Sequence, residues 1–264
     1  MFMRLMVAIV GLVLAAPAFA ATIPVTDGLI AYWPGENSAL DASGNGHNGT
    51  MVNGGYTTGV VGSAFNFQGT GNYVEVPDSA AWAFGTNDFT ISFFTNVHSV
   101  TPREYFVDIG HPSNVFIGQT EGAGVQNKWF VGLGEDTITF HVNGPGAGAS
   151  VFLANAAYPT TLDEWHNIAV RRSGTLFETF IDGSLGGSET SSIFIPDVVY
   201  PLRLGESEGF ELDGFLDEVA IYNRALTDGE IQQLSTVPIP AALPLFASAL
   251  AAFGFVGYRR RKAG

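Results

Sequence analysis

The 264-residue chain predicts an all-β antiparallel sandwich or barrel. Short runs of alternating apolar and polar residues recur about every ten residues. Gly, Asn, Asp and Pro separate them, and almost no stretch carries a helical period. With 46% hydrophobic and 14% charged residues, the chain has enough apolar material for one sizeable core.

Taken in chain order, "NYVEV" (72–76) is the first clear alternating run. "FTISFFTNV" sets Phe89, Ile91 and Phe93 on one face and Thr90 and Ser92 on the other. "TITFHVNG" sets Ile138, Phe140 and Val142 opposite Thr137, Thr139 and His141. "HNIAVRR" (166–172), "TLFETFIDG" (175–183) and "FLDEVAIYN" (215–223) follow. In the last of these, strict alternation puts Asp217 with Phe215, Val219 and Ile221, and Glu218 with Leu216, Ala220 and Tyr222. One helix is expected, Thr227 to Leu234, where Thr227 and Glu230 form a capping box before an apolar pair.

Both ends differ from this body. Residues 1–20 carry Arg4, an apolar run and Ala18-Phe19-Ala20, the pattern of a secretory signal peptide cut after Ala20. The segment 237–264 begins "VPIPAALPL", continues without charge to Tyr258 and ends in Arg259, Arg260, Arg261 and Lys262. That uncharged stretch is just long enough to span a bilayer, and the basic cluster stays on the cytoplasmic side. Between them, residues 21–236 form one expected domain with six basic against 25 acidic residues, a formal charge of −19. Such a surface disfavours nucleic acid, whose phosphates call for Lys and Arg, and repels polyanions unless a cation bridges them. With no cysteine, disulfides, thiolate metal sites and a cysteine nucleophile are excluded.

The most pointed motif is "DASGNGHNGT". Asp41, Ser43, Asn45 and Gly46 stand at positions 1, 3, 5 and 6 of a calcium-loop pattern, in which alternate oxygens converge and glycine permits the turn. Val52 stands where the closing bidentate Glu belongs, so a cation needs a carboxylate from elsewhere, and Asp217 on its largely apolar strand is the best donor. A polar turn held by its own side chains is the alternative. His47 reads as a solvent-facing turn residue, and the remaining histidines lack zinc-site spacing.

Catalytic patterns are weak. Glu206 and Glu208 have the spacing of a carboxylate pair but sit in the Gly-flanked loop "GESEG", where they read as facing water. Glu178 reads as the partner of Arg171 or Arg172 across a hairpin. For a serine nucleophile no base is evident. For sugar binding, Trp82 and Trp129 follow loops and are the better candidates for a stacking platform, although packing suits them too. Asn127 is a loop residue beside Trp129, and Asn114, Gln119 and Lys128 are further possible lining groups. Trp33 and Trp165 read as core.

Two resemblances rest on these residues. "GLIAYWPGENSALDASGNGHNGTMVNG", "AFNFQGTGNYVEVPDS", "EWHNIAVRRSG" and "LDGFLDEVAIYNRALTDGEIQQL" together resemble the laminin-G-like, concanavalin A-like domains of bacterial surface proteins. That resemblance implies an antiparallel two-sheet jelly-roll sandwich with one short C-terminal helix, a structural calcium joining the opening segment at Asp41 to the closing one at Asp217, and sugar binding. The tail resembles the Val-Pro-Leu-Pro-Ala variant of PEP-CTERM sorting signals, with Val237, Pro238, Pro240 and Ala241 in place and Ile239 for the usual leucine. It implies an exosortase-type partner, transient membrane insertion and delivery to the surface or matrix of a Gram-negative cell. The function expected is a noncatalytic, calcium-stabilised glycan- or exopolysaccharide-binding domain of a biofilm. The alternatives are a glycan-cleaving hydrolase or lyase on the same fold and a purely structural matrix protein.

Overall fold

The computed structural model describes residues 23–100, 114–121, 127–134, 136–144, 150–159 and 161–236. The expected leader and the expected sorting tail, with its basic cluster, lie outside the described residues. Among the described residues no helix is long and apolar enough to cross a membrane.

The strands are β1 (Leu29–Trp33), β2 (Thr50–Val52), β3 (Gly55–Thr58), β4 (Ser63–Gln68), β5 (Tyr73–Val76), β6 (Phe89–Val97), β7 (Asn114–Thr120), β8 (Lys128–Leu133) and β9 (Thr137–Asn143). They continue with β10 (Val151–Ala157), β11 (Trp165–Ser173), β12 (Leu176–Ile181), β13 (Ser184–Thr190), β14 (Leu202–Leu204), β15 (Glu206–Ser207), β16 (Phe210–Glu211) and β17 (Asp213–Tyr222), and helix α1 spans Asp228–Ser235. One sheet runs β13-β12-β11-β6-β17-β4-β3, with β1 also paired to β17. The other runs β10-β9-β8-β7-β14-β5-β2, and β15 and β16 form a separate hairpin. The neighbours are antiparallel, as expected.

Alternation along the strands builds the core between the sheets. Phe65 and Phe67 of β4 and Phe89, Ile91 and Phe93 of β6 enter it from one side, and Trp129, Val131, Ile138, Phe140 and Val142 of β8 and β9 from the other. Each such side chain contributes about 1.5–3 kcal/mol on leaving water. The polar faces of β6 and β9 are not solvated, however: Thr90, Ser92, Thr139 and His141 are all buried. On β6 the cover belongs to the closing segment, where Thr90 Oγ1 donates to the Arg224 carbonyl and accepts from Leu226 N. A second cluster on that outer face joins Tyr32, Phe180, Ala220 and Tyr222 to Ile231 and Leu234 of α1. The helix starts where the capping box put it, with Thr227 accepting from Glu230 N and Glu230 accepting from Thr227 N.

On β17 the alternation expected from sequence breaks. Leu216, Val219 and Ile221 all reach the main core, whereas Ala220 and Tyr222 join the outer cluster. The cause is a bulge: the register with β6 shifts between Asp217 and Ala220, and Glu218 takes φ 53°. One extra residue exchanges the two faces, so Phe215 and Val219 do not share a side. At the bulge β17 also changes partners, from β4 at 213–216 to β1 at 219–222. Trp33 is core, as expected, but Trp165 is only half-buried, against Phe215.

Candidate functional site

The expected calcium set is not brought onto one ion. Asp41 closes its own loop: Oδ1 accepts from Tyr32 N at 3.0 Å and Ser43 N at 2.8 Å, and Oδ2 from His47 N at 2.9 Å. Partial burial opposes the charge, but these hydrogen bonds outweigh it and hold Asp41 below the usual carboxylate range. Ser43 Oγ accepts from Asn45 N at 3.2 Å, and Asn45 Nδ2 donates to the Ile30 carbonyl at 3.0 Å, so both side chains are turned to their own loop and to β1. Gly46 supplies the turn with φ 85°. The His47 carbonyl accepts from Trp33 Nε1 at 2.8 Å, and the His47 ring lies against Trp82 with centroids 4.9 Å apart.

Asp217 serves a different loop. It is fully buried; Oδ2 accepts from Val60 N at 2.7 Å and Val61 N at 3.1 Å, and Oδ1 from Glu218 N at 2.9 Å. A side chain at Gly59 would collide with this carboxylate, which explains the glycine there. Among the described residues Asp41 and Asp217 share no hydrogen-bond partner, and no group of three or more His, Asp and Glu is placed to hold a metal ion. Calcium needs six to eight oxygens, and Asp41, Ser43, Asn45, Gly46 and Asp217 as arranged do not fit it. The physical reason is the bulge, which aims Asp217 at the backbone between β3 and β4.

A cleft opens instead on the outer face of the second sheet. Arg203 lies between core-facing Leu202 and Leu204 and therefore points away from the core, as do Tyr73 and Glu75 next to it on β5. Gly118 of β7 lies beside Arg203 on one side and Phe130 on the other, and a Cβ there would strike Phe130. The β15–β16 hairpin covers part of this face through Phe210, which packs on Val115 and Phe130. Between the hairpin and strands β7 and β14 is a cavity of about 310 Å³ whose lining includes Glu121, Tyr200, Arg203, Glu206, Ser207 and Glu208.

Its parts are held in place. Gln119 Nε2 donates to the carbonyls of Val198 at 3.0 Å and Tyr200 at 2.8 Å while its Oε1 accepts from Trp129 Nε1, so a buried amide anchors the segment that carries Tyr200. Tyr200 is 47% exposed. Arg203 lies 4.3 Å from the centroid of Tyr73 and pairs with Glu206, whose other oxygen accepts from Gly209 N. Lys128 pairs with Glu208 at 2.5 Å, both nearly buried. Ser207 is 1% exposed and lines the cleft, and its Oγ has no partner among the described residues. A wider groove of about 640 Å³ at Ala80, Ala81, Thr86, Asn87, Asp88 and Asn223 offers alanine methyls and exposed polar groups, but its ring, Phe84, is buried.

Several expectations change here. Trp82 and Trp129 are fully buried and cannot stack on a sugar; each packs in the core, beside Trp33 and Phe84 respectively. Glu206 and Glu208 do not face water, since ion pairs with Arg203 and Lys128 hold them in the hairpin. Asn127 stands at the cleft's rim, donating to Glu121 Oε1 at 3.1 Å. Lys128 and Gln119 support the cleft, whereas Asn114 ties β7 to Asp213 N and the Ser99 carbonyl. Glu178 pairs with Arg171, as expected, at 2.6 Å. Tyr200 and Ser207 were missed: the exposed ring in "PDVVYP" carries no sequence signal, and the serine of "GESEG" fits the letters G-x-S-x-G but lies on the β15–β16 hairpin, not at a strand-to-helix elbow.

The two packed antiparallel sheets define a β-sandwich domain of the jelly-roll class. Residues 68–232 match Laminin_G_3, the Concanavalin A-like lectin/glucanases superfamily, and the chain belongs to that family. Among solved structures, the binding domain of Paraclostridial Mosquitocidal Protein 1 superposes with a TM-score of 0.62 at 19% identity, over 80% of this chain and 52% of that one. Domain 4 of AbnA, a GH43 extracellular arabinanase from Geobacillus stearothermophilus solved with arabinotriose, superposes with a TM-score of 0.60 at 17% identity, over 79% of this chain and 98% of that domain. The binding domain of Botulinum Neurotoxin DC, in complex with SialylT, gives 0.60 at 15% identity, over 80% and 51%. The chain thus spans about half the length of the two toxin domains, and at these identities the likeness is one of fold. No curated protein matches the chain in sequence.

Proposed function

We propose that this chain is a noncatalytic carbohydrate-binding domain whose ligand lies in the cleft between β7, β14 and the β15–β16 hairpin. The observation that carries the reading is the union of an exposed ring, Tyr200, with a buried, unpartnered hydroxyl, Ser207, in one preformed cavity. Sugar sites combine an apolar face with a few fixed polar groups, and a volume of about 310 Å³ is at the lower end for small-molecule sites. Two of the structural neighbours were solved in complex with arabinotriose and with SialylT, which supports the class of ligand. A glycan array probed with the full chain tests it. Tyr200→Ala is expected to lower binding about tenfold or more. Ser207→Ala is expected to weaken binding several-fold without lowering the melting temperature, because the lost hydroxyl bonds nothing among the described residues. An array without hits, or variants that bind as well as wild type, would overturn the reading.

The hydrolase alternative needs two carboxyls free to act on a bound sugar. Glu206, Glu208 and Glu178 are each tied to a cation, so the reading remains one of binding. Export and surface delivery belong to the same proposal on the sequence at 1–20 and 237–264. Mass spectrometry of the secreted protein is expected to find a start at Ala21 and an end near Val237 to Ala241.

A further inference from the structure

The charges around the cleft determine which sugars it can take. Among the described residues there are five Lys and Arg, and every one is engaged. Lys128 pairs with Glu208, Arg171 with Glu178 and Asp228, Arg203 with Glu206 and Glu75, and Arg224 with Glu230 and Asp27. Arg172, 1% exposed, donates to the carbonyls of Gly85 and Gly174. At the cleft itself, Glu121, Glu206 and Glu208 line the cavity with Glu75 adjacent, and among the described residues Arg203 and Lys128 are the cations that oppose them. Glu121 has no cation among the described residues; its recorded partner is the neutral amide of Asn127, and residues 122–126 carry no charge.

Resting on the glycan-binding reading, we propose that the cleft selects amino sugars with a free ammonium group, as in a glucosamine oligomer, over acidic polysaccharide. The ammonium meets Glu121 at the mouth, a sugar hydroxyl meets Ser207 Oγ in the depth, and the ring's apolar face lies on Tyr200. A uronate carboxylate would enter among four glutamates with no cation among the described residues left to receive it, and like charges brought together at a site suppress the wrong partner. The acidic body, −19 over residues 21–236, adds a field of the same sign that gathers cationic chains.

Calorimetric titration of the full chain with glucosamine, N-acetylglucosamine and galacturonate tetrasaccharides, at about pH 6 where the amine is charged, tests this. The amine-bearing chain is expected to bind about tenfold tighter than its acetylated counterpart, with no uronate binding, and to lose affinity as salt is raised. Glu121→Gln is expected to remove that preference, whereas Asp163→Asn, which removes an exposed carboxylate on the loop between β10 and β11, leaves it intact. Equal binding of amine and acetylated chains, binding of the uronate, or an equal loss in both variants would overturn the selection. If neutral glycans bind the cleft in a Tyr200-dependent way without preference for the amine, only the selection falls. If neither these sugars nor an array of neutral glycans binds, the glycan-binding reading falls with it.

Discussion

Asp217 places three backbone N–H groups on one buried carboxylate, while Asp41 does the same for a loop at the surface. Both carry the side chain that sequence assigned to calcium, yet their surroundings differ. Burial pushes Asp217 from 3.8 up to about 8, against the pull of Val61, Val60 and Glu218 N–H, and pushes Glu218 from 4.5 to about 7 despite the Tyr32 hydroxyl that donates to it. The folded chain therefore holds protons that the unfolded chain has released. The stability tied to these protons is full below about pH 4 and is lost as pH rises to about 8. Asp41 acts in the opposite sense, losing its contribution as pH falls through its depressed value. Asp217→Asn should therefore gain on wild type in melting temperature from about pH 5 to about pH 8, and a difference that stays constant with pH would contradict the assignment. Asp217→Ala, which strands three buried N–H groups, should cost about 2–4 kcal/mol in denaturant unfolding. At this scale sequence located polar residues but could not say which would be solvated: Trp82 and Trp129 rank above Tyr200 by composition, yet only Tyr200 has an open side.

Secondary-structure elements were more legible, because their periodicity is local. The helix begins at Asp228 behind Thr227, one residue from expectation, since a capping box is written in four consecutive residues. Thr227→Ala should destabilise the domain by about 1 kcal/mol, read as a shift in denaturant midpoint without a change in slope. The hairpin pair was also readable: Arg171 and Glu178 stand directly opposite on β11 and β12. Glu178→Ala should cost about 1.5–3 kcal/mol, because it removes the buried acid from the Arg171 guanidinium and leaves it with exposed Asp228 and the Leu226 carbonyl. What could not be read was β17, where one residue in excess exchanges the faces, and β13, whose "SLGGSET" has little apolar alternation and forms by pairing with β12. All four of β6, β7, β8 and β9 are largely buried on both faces, but β6 and β9 keep Thr and Ser at alternate positions, whereas the runs "VFI" of β7 and "WFV" of β8 lack that period.

For the whole molecule, the absence of cysteine leaves packing and hydrogen bonding to hold the sandwich, and Asp41 and Asp217, where calcium was expected, already accept from backbone N–H groups. Addition of EDTA should leave the melting temperature unchanged. A calcium-dependent rise abolished by Asp41→Ala would instead show that the opening loop rearranges around the ion. The sequence by itself determined the all-β class, the capped helix α1, the family resemblance and the acidic, cysteine-free body, because alternation, capping and composition are properties of neighbouring residues or of simple counts. Only the tertiary structure decided which carboxylates meet cations, which aromatics are open, and that Glu121, Tyr200 and Ser207 share one cleft. Those facts depend on how distant strands register, and a single bulge residue is enough to redirect a side chain.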